Sequence, residues 1–293
     1  MCSASNATRR HGLFVAGLLA LLAAANASGR PVAAPAGGDP SSVLRVCADP
    51  NNLPYSNARG EGFENALARL LADNLHRSLA YTWFPQRRGF IRNTLRAGKC
   101  DVVMGVPTRM EMVRTTVPYY RSSYVFVTRR SRHLDISSFD DPRLRTLRIG
   151  VHAVGDDYAN VPPAIALARR GIVDNLHGYS IYGDYSKPSP PRALIDAVAN
   201  GKIDVAIAWG PFAGYFAQLE SAPLSIHPVQ GITDPALAMR YDISMGVRKD
   251  DVSMQQALNA FIAQDRNAID HVLARYGIPQ VPGGAPSTIG GAP

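Results

Sequence analysis

The chain has 293 residues, 46% of them hydrophobic, and 31 Lys and Arg against 23 Asp and Glu give it a formal net charge of +8. This excess is a slight pull toward an acidic partner surface, but no basic helix and no interleaved aromatic-basic stripe accompanies it, so nucleic acid is set aside as a partner. Three cysteines with no CxxC, HxxxH or clustered Cys/His spacing exclude a zinc-type metal site.

The first 27 residues read as a secretory signal peptide. Arg9, Arg10 and His11 open it, Leu13 to Ala25 is apolar, and Ala25-Asn26-Ala27 is a small-x-small cleavage site. The apolar run falls short of the ~20 residues of a spanning helix, so no membrane anchor is expected. The mature protein is expected to be exported to the periplasm with a charge of +6, since cleavage removes two arginines and no acid.

Residues 28–42, rich in Pro, Gly, Ala and Ser, read as a disordered lead-in, and 281–293 as a disordered tail. Val43 to Ala48 is an apolar strand that the loop Asp49-Pro50-Asn51-Asn52-Leu53-Pro54 ends. Phe63, Leu67, Leu70, Leu71 and Leu75 then recur at helical spacing. Leu79 to Phe84 predicts a second strand, Phe90, Ile91 and Leu95 a helix stopped by Gly98, and Asp101 to Val106 a third strand. Further on, the plan repeats. A strand at Leu147 to Val151 precedes a helix entered through Pro162 and Pro163 and stopped by Gly171; a helix from Pro191 precedes a strand at Ile203 to Trp209. Asp242 to Val247 predicts a last strand, and Leu258 to Tyr276 one long amphipathic helix closed by Gly277 and Pro279.

Two short motifs echo each other in this pattern. Leu44-Arg45-Val46 is answered by Leu147-Arg148-Ile149, and Gly98-Lys99-Cys100-Asp101-Val102 by Gly201-Lys202-Ile203-Asp204-Val205, each pair of motifs 54 residues apart from first Leu to Gly. Alternating strands and helices, twice over, predict an α/β fold of two Rossmann-like lobes, each a largely parallel sheet with helices on its faces. Lobe 1 is expected over 43–128 plus 242–280 and lobe 2 over 129–241, joined by a two-strand hinge with crossings near 128–132 and 231–241. The cleft between them is the expected site. In the mature chain Cys47 and Cys100 remain, one on each of the echoed strands of lobe 1. A disulfide between them is expected in an oxidising compartment, with two buried free thiols as the alternative.

Enzymatic signatures are missing: there is no GxSxG elbow, HExxH, GxxxxGK[ST] or GxGxxG. No cofactor is expected, and the only local acid and base pair is Asp156 with His152. Polar and aromatic residues do gather at the carboxyl ends of the strands, where open α/β sheets bind ligands. From lobe 1 these are Asp49, Asn51, Tyr55, Arg87, Arg88 and Arg109; from lobe 2, His152, Asp156 and Trp209. Arg109 suits a carboxylate in a bidentate fork, and Trp209 suits a cleft wall. Arg87 and Arg88 stand where a helix begins, a position unfavourable to cations. The long loop His177 to Pro191 carries Tyr179, Tyr182 and Tyr185, a contact surface for a ligand or another protein.

The organisation over Val43 to Pro279 resembles the periplasmic solute-binding proteins of family 3 that serve ABC importers. Leu44 to Pro54, Gly62-Phe63-Glu64-Asn65, Pro85-Gln86-Arg87-Arg88-Gly89-Phe90, Ile149-Gly150-Val151 with Gly155 to Asn160, and Trp209-Gly210-Pro211 are similar to one subgroup of it, the quinoprotein-dehydrogenase-associated binding proteins of MoxJ/XoxJ type. The resemblance implies the type II periplasmic-binding-protein fold, no catalysis, and a partner in a PQQ-dependent methanol or alcohol dehydrogenase, served as a monomer through the cleft or the tyrosine loop. The alternative is a receptor for an ABC importer of a small organic ligand. Amino-acid receptors of the wider family hold the carboxylate with an Arg placed as Arg109 stands before Pro118-Tyr119-Tyr120, and the ammonium with an acid where this chain has Trp209. A buried ammonium without its acid is uncompensated, so an ordinary α-amino acid is disfavoured.

Overall fold

The computed structural model describes residues 42–153, 161–181, 188–232 and 234–281. The expected signal peptide, the lead-in before Ser42, the tail beyond Val281, Asp156, Tyr182 and Tyr185 lie outside the described residues.

β1 (Val43–Ala48) is buried along most of its length, and the loop after it folds into a two-residue hairpin of β2 (Asn51–Asn52) and β3 (Ser56–Asn57). α1 (Phe63–Asn74) starts where the Asn65 side chain accepts from the backbone N–H groups of Asn57 in β3 and of Gly62 at the helix cap, both at 3.1 Å, the second being a donor that a helix start leaves open. Its Phe63, Leu67, Ala68, Leu71 and Ala72 face the core. β4 (Ser78–Trp83), α2 (Phe90–Asn93), β5 (Val102–Pro107), β6 (Arg114–Thr115) and β7 (Tyr120–Arg129) follow, then β8 (Ile149–Ala153), α3 (Pro162–Ala168) and β9 (Leu176–Ser180). The chain closes with α4 (Ala193–Ala199), β10 (Val205–Trp209), α5 (Gly210–Gln218), β11 (Leu224–Pro228), β12 (Arg240–Val247), α6 (Val252–Gln264) and α7 (Arg266–Arg275).

Strand order is β4-β1-β5-β12-β7-β10-β8-β9, a palindrome of two lobes. In lobe 1, β1 lies between β4 and β5, parallel to both, and in lobe 2 β8 lies likewise between β9 and β10. The antiparallel strand that flanks each trio also passes to the other lobe: β12 pairs β5, and β7 pairs β10. β7 pairs β12 over Tyr120 to Ser123 and β10 over Tyr124 to Thr128, so the first passage falls between Ser123 and Tyr124, ahead of the 128–132 expected from sequence. No Gly or Pro marks it, because the strand runs straight through while its partner changes. The return begins at Arg240, at the end of the expected 231–241 passage.

Other elements differ from expectation for local reasons. α2 is a single turn, because Gly89 enters it at φ +91° and the Thr94 hydroxyl donates to Phe90 O at 2.7 Å where the helix ends. The long C-terminal helix is two helices, parted at Asp265, whose side chain receives a bond from Asn74 Nδ2. The start of the His177 to Pro191 loop is the edge strand β9. Cys47 and Cys100 form a disulfide with Cα atoms 5.5 Å apart, within the ordinary range, inside a small cluster with Phe90, Ile91, Leu95 and Val103.

Candidate functional site

The inter-lobe face is built mainly by the segment after β1 and the residues that end β10. Asp49 anchors that segment: its carboxylate accepts from Asn51 N at 2.7 Å and Gln86 N at 2.6 Å, and its carbonyl from Ser56 Oγ at 2.8 Å. The chain then turns toward lobe 2. Leu53 is only 8% exposed and packs in the lobe 2 core with Phe212, Leu194 and Ala208. Tyr55 stands between the lobes, its ring 5.3 Å from Phe63 of lobe 1 and 5.3 Å, edge on, from Phe212 of lobe 2. Asn51 Oδ1 accepts from Ser189 N of lobe 2 at 3.1 Å.

Trp209 completes the face from the other side. It is half-buried, with Tyr124 at 5.4 Å and Tyr241 at 5.6 Å, the residues of the two passing strands. Burial raises the Tyr55 hydroxyl pKa well above the ordinary tyrosine value, the charge of Glu64 adds to the rise, and the polar contact with Trp209 opposes it. Behind this face α5 and the turn after α7 touch directly. A Cβ on Gly214 would stand 1.9 Å from Gly277 O, and Tyr215 stacks on Tyr276 at 5.9 Å.

Two buried ionisable groups border the aromatic face, one in each lobe. Glu64, 7% exposed in the first turn of α1, lies against Gly105, and its burial pushes its pKa up to about 8 although a helix start favours an anion. His152, 3% exposed at the end of β8, stands 5.0 Å from the Phe212 ring. Its Nε2 is 2.9 Å from the Pro191 carbonyl, which only accepts, so Nε2 carries the proton and donates. Burial brings the His152 pKa down to about 4, against the opposing pull of that carbonyl.

Of the residues singled out from sequence, the structure thus brings Asn51, Tyr55, His152 and Trp209 to one region with Asp49 at its base. Arg87, Arg88 and Arg109 are exposed, with no side-chain partner among the described residues. Arg109 sits at φ +67° with its N–H on Thr115 Oγ1 at 3.3 Å. Tyr179 lies on β9, half-buried, near Gly150. Sequence reading missed Leu53, Phe212, Tyr124, Tyr241 and Glu64. Phe212 had a signal, since it follows the noted Trp209-Gly210-Pro211 by one residue.

The face is aromatic, and among the described residues no cluster of His, Cys, Asp and Glu could hold a metal ion. No helix of the described residues is long and apolar enough to cross a membrane. Among the described residues the face offers apolar burial and few charges, the character of a packed interface.

Comparison with known proteins agrees with this architecture. Protein MoxJ of Methylorubrum extorquens AM1 is 31% identical over 85% of this chain and 85% of its own length. The crystal structure of periplasmic binding protein XoxJ from Methylobacterium extorquens AM1 matches with a TM-score of 0.67 at 34% identity, covering 82% of this chain and all of that one. The structure of MxaJ from Methlophaga aminisulfidivorans MPT matches with a TM-score of 0.71 at 28% identity, over 81% of this chain and all of its own. The model of the bacterial extracellular solute-binding proteins, family 3, matches residues 44–277, and the chain belongs to that family of binding proteins.

Proposed function

We propose that this chain is a non-enzymatic periplasmic accessory protein of a PQQ-dependent methanol or alcohol dehydrogenase, acting as a monomer and needing no cofactor of its own. The likeness to MoxJ, XoxJ and MxaJ supports the assignment to that group. The observation that carries it beyond the family is the meeting of Leu53 and Tyr55 from lobe 1 with Trp209 and Phe212 from lobe 2, an aromatic and apolar contact between the lobes. β10 ends on the aromatic Trp209, which offers no acid there for an ammonium. Asp49, Asn51 and Tyr55 then act as the anchor of the inter-lobe contact, Trp209 as its wall, and Tyr179, with Tyr182 and Tyr185 beyond the described residues, as part of the partner-facing loop.

The test is capture of periplasmic proteins from alcohol-grown cells on the mature chain, with native mass spectrometry of the chain itself. Retention of the dehydrogenase without a stoichiometric small molecule is the expected result. Saturable binding of a small organic solute with a change in lobe separation by small-angle scattering, and no dehydrogenase retained, would replace this reading with that of an importer's receptor.

A further inference from the structure

We propose that the exposed side of residues 84–99 in lobe 1 is the surface that docks on an acidic patch of the partner protein. The proposal rests on the accessory reading above and assigns the face that does the engaging. Arg87, Arg88, Arg92, Arg96 and Lys99 are all exposed, and no Asp or Glu occurs between Phe84 and Cys100. This short stretch therefore carries five of the charges that make up the chain's excess of eight.

What sets these five apart is their crowding without an acid: they fall within residues 87–99, whereas other exposed arginines that have no ion pair among the described residues, Arg109, Arg130, Arg240 and Arg275, stand far from one another in the sequence. Several arginines elsewhere are paired: Arg143 with Asp141, Arg169 with Asp234, Arg170 with Asp140 and Arg192 with Asp196. None of the five has an ion pair or side-chain hydrogen bond among the described residues. Like charges crowded without a counter-charge raise the free energy of the isolated protein, and an acidic partner relieves that. The scaffold beneath is fixed. Phe90, Ile91 and Leu95 turn inward onto the Cys47–Cys100 disulfide, and Gln86 is held by Asp49 and by Asn52 Nδ2 at 3.1 Å. Cations on an ordered base bind with less loss of freedom than cations on a loose loop.

A protein surface fits this face better than a lipid one. Four of the five are arginines, whose planar forks match carboxylates in bidentate pairs. No large apolar side chain in the stretch is exposed, so nothing is offered for insertion among acyl chains.

The experiment measures binding of the mature chain to the purified PQQ-dependent methanol dehydrogenase of the same organism at low and moderate salt. A fourfold variant, R87Q/R88Q/R92Q/R96Q, is set beside a control, R130Q/K202Q/R240Q/R275Q, which neutralises four exposed cations elsewhere. The first variant is expected to bind about tenfold or more weakly, chiefly through a slower on-rate and with a shallower salt dependence, and the control within about twofold of the parent. Should the fourfold variant fold poorly, R87Q/R88Q and R92Q/R96Q are read separately, each expected to lose several-fold. Equal binding by parent and variants overturns the docking face and leaves the accessory reading standing. No binding of the dehydrogenase by the parent overturns both. Loss of binding to phosphatidylglycerol vesicles in the variant, with dehydrogenase binding unchanged, overturns the proposal in favour of a membrane surface.

Discussion

The two lobes share one clamp and differ in the staple beside it. In lobe 1, Arg45 donates from its backbone N and from Nε to Asp101 Oδ2 at 3.1 and 3.0 Å, and from Nη1 to Gly98 O at 3.0 Å. In lobe 2, Arg148 donates from N and Nε to Asp204 Oδ2, both at 3.0 Å, and from Nη2 to Gly201 O at 3.0 Å. A second arginine stands near each acid, Arg248 at 3.6 Å from Asp101 and Arg132 at 3.4 Å from Asp204. Beside the clamp the lobes part. Cys47 and Cys100 are bonded in lobe 1, whereas Gly150 and Ile203 hold the equivalent places in lobe 2, with the isoleucine filling the space a Cβ on Gly150 would need. Registering the first strand against the turn before the third thus requires the Arg and Asp, while the cross-strand contact next to them works as either a covalent bond or a packed pair.

The comparison breaks most severely at the disulfide. The bond closes a loop of 53 residues, and its loss in a C47A/C100A variant is expected to cost about 4 kcal/mol by the chain-entropy relation. Thermal unfolding followed by limited proteolysis reads it, with early cuts expected in lobe 1 and lobe 2 peptides protected longer. Equal protection of both lobes would show that the staple serves the whole molecule.

The lobes also answer to opposite ends of the pH scale. Glu64, with a folded pKa of about 8 against the usual 4.5, binds a proton in the fold that the unfolded chain releases, so its contribution is whole below 4.5 and is lost as pH rises through 8. That loss amounts to about 5 kcal/mol at the alkaline end. His152, at about 4 against the usual 6.5, is neutral in the fold, so its contribution is whole above 6.5 and is lost as pH falls through 4, about 3 kcal/mol in all. Denaturant unfolding at pH 4.5, 6.5 and 8.5 should show Glu64→Gln removing a fall in stability that runs across both intervals, and His152→Gln removing a rise confined to the interval from 4.5 to 6.5. An effect of His152→Gln between pH 6.5 and 8.5 would mean that the two sites are coupled through Tyr55 and Phe212.

What was legible in the sequence follows from these contrasts. The clamp was visible because both partners must be charged and stand at one separation, so the duplicated Arg and Asp survive as an echo. The Cys pair was visible from the strands that the echo marks. Leu53 and Phe212 were not, because each obeys the pattern of its own lobe and nothing local says that a residue after β1 will enter the core of the other one. The passage at Ser123 and Tyr124 left no mark either, since a strand that changes partner keeps its extended backbone. Arg109 was read from its place at a strand end, and the left-handed turn that carries it outward has no glycine to announce it.

A sharper test of the shared clamp is Asp101→Asn against Asp204→Asn. Each carboxylate accepts two bonds from its arginine side chain and one from backbone, and each is largely buried. Weakening such charge-assisted bonds is expected to cost about 2 kcal/mol in either lobe. Equality within the error of chemical unfolding supports the symmetry. A much larger cost for Asp204 would show that the covalent staple of lobe 1 holds the register without its acid.

The smallest expected effect isolates the packed staple. In Gly150→Ala the new Cβ would meet Ile203 Cδ1 at 2.5 Å and Leu194 Cδ1 at 2.7 Å, both buried methyl groups, so the side chains must shift. Overpacking of this kind is expected to destabilise by about 1–2 kcal/mol. Ile203→Val removes the nearer methyl and is expected to cost about 1 kcal/mol alone through the space it leaves. Combined, the two changes should offset each other, so the double variant is more stable than the sum of the single losses predicts. Additive losses in a double-mutant cycle would mean that Gly150 answers to Leu194 of α4 and not to Ile203. The packed counterpart of the Cys47–Cys100 bond would then lie between sheet and helix instead of across the strands.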